Sequence, residues 1–85
     1  MKTGDTVISL KGHDKGALYV VTETEGEFLL LCDGKCKLLT NPKKKNMKHV
    51  KATGKSIDLS VYNPLYDAHI RKELKSLFNR ILYRW

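Results

Sequence analysis

Twelve side chains of this chain have the types and the grouping to meet a polyanion. Lys11, His13 and Lys15 lie on or beside the glycine-bracketed stretch Gly12-His13-Asp14-Lys15-Gly16. Lys35 and Lys37 follow Asp33-Gly34, and Lys43, Lys44, Lys45, Asn46, Lys48, His49 and Lys51 form the densest run. A lysine ammonium is a strongly hydrated point charge suited to a phosphate oxygen. A histidine ring can stack on a base, although a packed histidine with a satisfied ring nitrogen is an equal reading for His49. Asn46 can hydrogen-bond a base or ribose, but an Asn in such a place more often shapes a turn. The glycines let another backbone approach the peptide closely.

The charge distribution sharpens this reading. The 85 residues hold 16 Lys and Arg against 9 Asp and Glu, a net charge of +7. From Gly34 to Ile57 there are eight lysines and no acid, while the rest of the chain carries 8 basic and 9 acidic residues. The whole excess thus falls in one segment, which points to a polyanionic partner, nucleic acid first. About six phosphate contacts would give a log–log salt slope of roughly −4 to −5. The acids Glu23, Glu25 and Glu27 gather around Gly26 and are expected to point away from that partner.

Other chemistries find little support. No nucleophile-bearing turn or paired carboxylates are visible, so no enzyme is expected and no catalytic residue is assigned. Gly12-x-x-x-Gly16 leads into a strand-like run, not into a helix as a phosphate-binding loop would, and no small-molecule substrate or cofactor is expected. Cys32 and Cys36 flank Asp33-Gly34-Lys35 and read as reduced thiols facing each other across a hairpin turn. A zinc site would need two more ligands from the scattered His13, His49 and His69, so no metal is expected. No apolar run approaches the roughly 18 residues of a membrane span, and Met1-Lys2-Thr3-Gly4-Asp5 leads into no signal-like core, so a cytoplasmic protein without a membrane partner is expected.

The elements that must position the basic residues are short. Runs rich in β-branched and aromatic residues, at 7–10, 18–24, 27–32, 36–40 and 47–52, are separated by glycine turns and predict five strands in a small barrel. Cys36 and Leu38 alternate with Lys35 and Lys37, which predicts one wet, basic face there. Val20, Val21 and Leu29–Leu31 do not alternate, as in a strand pair covered on both sides. Residues 53–63 read as a connector. Residues 64–85 read as an amphipathic helix capped by Asn63-Pro64, with Asp67 as the cap of a shorter one. Its apolar face would comprise Tyr66, Ile70, Leu74, Leu77, Phe78, Ile81, Leu82 and Trp85, packed on the barrel of residues 1–52. Arg71, Lys72 and Lys75 can extend the basic surface. Phe28, Tyr66, Phe78 and Trp85 read as core or helix-packing residues, and Tyr19, beside the glycine loop, as a ring on which a base can stack.

The passage from Gly4-Asp5-Thr6-Val7 through Gly12-His13-Asp14-Lys15-Gly16 to Leu18-Tyr19-Val20-Val21 resembles the KOW motif of ribosomal proteins and of transcription elongation factors. Its continuation resembles bacterial KOW-domain RNA-binding proteins akin to an archaeal and eukaryotic large-subunit ribosomal protein family. The matching pieces are Asp33-Gly34, Pro42-Lys43-Lys44-Lys45-Asn46, Lys48-His49 and the late Ile70-Arg71-Lys72-Glu73-Leu74-Lys75, so the resemblance spans most of residues 4–78. The cysteine pair and the stretch after Phe78 are not part of that pattern. The resemblance implies a mainly β protein, a small five-stranded SH3-like (KOW) barrel with one C-terminal amphipathic α-helix. It also implies RNA binding, with ribosomal RNA and the ribosome as partners in translation. With no aromatic signature for reading single strands, structured RNA recognised by shape and backbone is the expected target. The competing expectation is a protein-interaction barrel in transcription elongation or ribosome assembly, with no direct RNA contact. Oligomeric state is left open.

Overall fold

The computed structural model describes the backbone of residues 1–83 and the side-chain environments of residues 1–79. Five strands, β1 (Asp5–Ser9), β2 (Leu18–Glu25), β3 (Phe28–Cys32), β4 (Lys43–Asn46) and β5 (Val50–Ser56), precede one helix, α1 (Asp67–Tyr83). The strands form one antiparallel sheet in the order β4-β3-β2-β1-β5. The protein is therefore mainly β with one C-terminal helix. The sheet does not close as the expected barrel would. β4 and β5 are its two edges, joined by a 3₁₀ turn at Met47–His49.

The non-alternating strands are covered on both sides. Val7, Tyr19, Val21, Leu29, Leu31 and Val50 pack together on one face. Val20 and Cys32 point to the other, where they meet Ile57 and the α1 residues Ile70 and Leu74. A shift of register between Val21 and Glu23 marks a bulge, which adds local twist. Ile70, Leu74 and Leu77 give α1 a buried stripe at four- and three-residue steps. Tyr66 and Phe78, expected on that stripe, are 60% and 46% exposed, and Phe28 is exposed too. Ile81, Leu82 and Trp85 lie outside the residues whose side chains are described.

Two strand assignments differ from those read in the sequence. Residues 36–40 are not a strand, because the Asp33 carboxylate gathers the amides of Lys35, Cys36 and Lys37 at 2.9–3.0 Å. A side chain that collects successive backbone donors removes them from a ladder. The fourth strand is instead the lysine run. Lys43, Lys44 and Lys45 pair with Leu31, Leu30 and Leu29 of β3. An edge strand tolerates lysine, since charge there blocks pairing with another chain, and Pro42 stands just before it, where its missing N–H is harmless. The fifth strand begins at Val50 and runs through Ser56, so the expected boundary at residue 52 falls inside β5.

The helix starts at Asp67, not at Pro64. His69 Nδ1 reaches back to accept from the Tyr66 amide at 3.1 Å, in the manner of a capping box. The Asp67 carboxylate accepts from the Leu39 amide at 2.8 Å, and the Arg71 guanidinium donates to the Gly34 carbonyl at 3.0 Å. Gly34 is buried with φ +77°, and a Cβ there would fall on the backbone of Asp67 and Arg71. Only glycine allows the 33–37 turn to lie this close to the helix. The two cysteines do not face each other: Cys32 is fully buried, Cys36 is exposed, and both are free thiols. Burial pushes the Cys32 thiol above its ordinary pKa.

Candidate nucleic-acid interface

The loop from Leu10 to Ala17 leaves β1 and returns as β2, with Gly12 and Gly16 in positive φ. Its centre is Asp14. This carboxylate accepts from the Ser9 hydroxyl at 2.9 Å, the Tyr19 phenol at 3.0 Å and the Lys45 ammonium at 2.9 Å. Lys45 also donates to the Lys11 carbonyl at 2.7 Å. Burial alone would raise the Asp14 carboxyl. The hydrogen bonds from Lys45, Ser9 and Tyr19, with the Lys45 charge, outweigh it and hold the group down at about 2. Burial and donation to that carboxylate push the Tyr19 phenol well above its usual range. Tyr19 is thus a core residue, not a surface on which a base can stack.

This cluster places the glycine loop against the lysine segment. Lys45 straps the loop to β4, and the Leu10 amide donates to the His49 carbonyl at 2.8 Å. Lys51 lies opposite Ile8 of β1. The loop residues Lys11, His13 and Lys15, all exposed, therefore adjoin the 3₁₀ turn bearing exposed Lys48 and half-buried His49, and the start of β5 bearing exposed Lys51. Lys55 continues the same edge strand. Lysines from either end of this surface are distant in sequence, and the strap is what makes them neighbours.

Three expected contact residues have other work. Lys45 is only 10% exposed in its side chain, and its ammonium is satisfied inside the protein, so it serves as a structural cation. Asn46 turns its side-chain carbonyl to the Lys48 amide at 2.9 Å and caps the 3₁₀ turn, the turn-shaping role. Lys44 is exposed but stands 3.7 Å from Glu25 and 5.1 Å from the centre of the Phe28 ring. The acidic hairpin, expected to face away from the basic surface, instead adjoins the end of β4 that leads into the 3₁₀ turn: Phe28 pairs with Asn46, and the Met47 amide donates to the Glu27 carbonyl at 2.9 Å. The segment that is acid-free in sequence is therefore not acid-free in space. Lys43 is half-buried on β4. Lys35 and Lys37 sit on the 33–37 turn, away from the β5 edge, with Lys35 on the α1 side of the glycine loop.

The residue that sequence reasoning passed over is Asp14. Its signal was present as an acid between two glycines with hydroxyl-bearing Ser9 and Tyr19 five residues to either side. That spacing matches neither strand nor helix period, so nothing periodic drew attention to it. Among the described residues no three His, Cys, Asp or Glu side chains gather as a metal site. No described helix is long and apolar enough to cross a membrane. No protein-family model matches the chain, and no curated protein matches it.

Proposed function

We propose that this protein is a cytoplasmic, non-enzymatic RNA-binding module of KOW type, its curled sheet an SH3-like barrel left open between β4 and β5. Its target is structured RNA, with ribosomal RNA and the ribosome the first partners to test. One observation carries the reading: the Lys45–Asp14 strap draws the glycine loop against the 3₁₀ turn and β5. Lys11, His13, Lys15, Lys48 and Lys51 then share one exposed, basic end of the sheet. Phosphates spaced along a strand can meet these ammonium groups, and the glycines permit backbone approach. Lys35, Lys37 and Lys43 lie outside that group and Lys44 is paired, so they contribute less.

The test is binding of the full chain to a ribosomal RNA fragment at several salt concentrations. Lys11, Lys15, Lys48 and Lys51 are replaced together by Glu, leaving Lys45 in place. The wild type should bind with a steep salt dependence and the fourfold variant should lose it. Unchanged binding by that variant would defeat the proposal. Recovery of a protein partner with no RNA attached after crosslinking in cells would favour an interaction barrel.

A further inference from the structure

A second basic surface lies on the other side of the glycine loop. The exit of that loop, the turn at Asp33–Lys35 and one side of α1 enclose an open cleft of about 300 Å³. Among the described residues, the cations Lys35, Arg71 and Lys75 line it against the acid Asp33. One oxygen of that acid is already engaged by the amides of Lys35, Cys36 and Lys37. Arg71 is aimed by its bond to the Gly34 carbonyl, which uses one of its five N–H donors and leaves the rest of the fork for an anion. The apolar wall is Leu74 and Phe78, and the Phe78 ring stays 46% exposed beside the buried stripe of the same helix.

An exposed aromatic face beside clustered cations suits an unpaired nucleotide, the ring taking the base and the cations its phosphate. We infer that this cleft receives one unstacked nucleotide of the RNA held by the glycine loop. The inference rests on the RNA-binding reading. An open cleft covers too little of a free small molecule to hold it well. A nucleotide belonging to an RNA already bound next door arrives at high effective concentration, so a modest site suffices. Gly16 and Leu18 line the cleft, and Lys15 directly precedes them, so one RNA strand can pass from loop to cleft without leaving positive surface.

The experiment compares two RNAs of one sequence family with the full chain: a hairpin with a single unpaired 2-aminopurine in its loop, and the same stem fully paired. Phe78→Ala and Arg71→Ala should each weaken the looped RNA about tenfold and leave the paired stem unchanged. The 2-aminopurine emission, quenched by the wild type, should stay bright with Phe78→Ala. Lys75→Glu, a change at an exposed position that touches no packing, should weaken the looped RNA likewise. Lys48→Glu with Lys51→Glu should weaken both RNAs. If the three cleft variants bind both RNAs as the wild type does while the Lys48/Lys51 variant fails, the cleft assignment falls and the RNA-binding reading stands. If the wild type binds neither RNA, both fall. If the cleft variants lose a polyglutamate peptide but keep the looped RNA, the cleft belongs to an acidic protein segment and the inference is overturned.

Discussion

The two halves of the lysine-rich segment behave differently. In β4, Lys44 and Lys45 each stand beside a carboxylate, and Lys45 is nearly enclosed. A few residues later, Lys48, Lys51 and Lys55 are exposed on the 3₁₀ turn and on β5, and none of them makes an ion pair among the described residues. In the first half Lys45 holds the glycine loop in position, and in the second the ammonium groups are left exposed at the surface. Lysine count along the chain therefore overstates the field at the surface. One ammonium spent on Asp14 is what brings the others alongside the loop.

Breaking the strap should have the largest effect. Asp14→Asn, or Lys45→Met, removes one partner of a partly buried, hydrogen-bonded pair and should destabilise the fold by about 3 kcal/mol, read as a lower denaturant midpoint. Lys48→Glu with Lys51→Glu should leave stability within about 0.5 kcal/mol. That pair should instead make the salt slope of RNA binding shallower by about 1 for each lost phosphate contact. Glutamate keeps the β5 edge charged, so edge pairing between molecules does not confound the measurement. A fall in stability from the second pair, or none from the first, would erase the distinction between the halves.

Acid should reveal the strap next. The Asp14 carboxyl is depressed in the folded protein from 3.8 to about 2. Its contribution is fully present above the unfolded value and disappears as pH falls through the folded one. Stability should therefore drop by about 2 kcal/mol between about pH 4 and pH 2, and Asp14→Asn should flatten that part of the curve. Tyr19→Phe, which deletes one donor to the same carboxylate, should cost about 1 kcal/mol. Smallest of all, Lys44→Ala should change stability by less than about 0.5 kcal/mol, because both partners of the Lys44–Glu25 pair are exposed.

The sequence was readable where apolar runs or their spacing mark what must be buried. β1, β2 and β3 follow β-branched and leucine-rich runs, and Ile70, Leu74 and Leu77 mark the helix by their spacing. β4 was hidden because three lysines carry no apolar signal, and its strand conformation comes from pairing with β3. Residues 36–40 misled in the opposite way. Their alternation of lysine with cysteine and leucine looks strand-like, but Asp33 takes the backbone donors a ladder would need. At the candidate site, the exposed loop and β5 lysines were legible from charge alone. The internal role of Lys45 was not, since it depends on a carboxylate 31 residues away.

The unequal cysteines offer a practical handle. A thiol-directed fluorophore has one accessible attachment point, Cys36, because Cys32 is sealed beneath the helix. That point is one residue beyond the cleft-lining Lys35, on a turn bonded to α1 by Arg71 and Asp67, so the dye would sit beside the cleft on a held platform. Labelling the unmodified chain would thus yield a uniform reporter of whatever enters there.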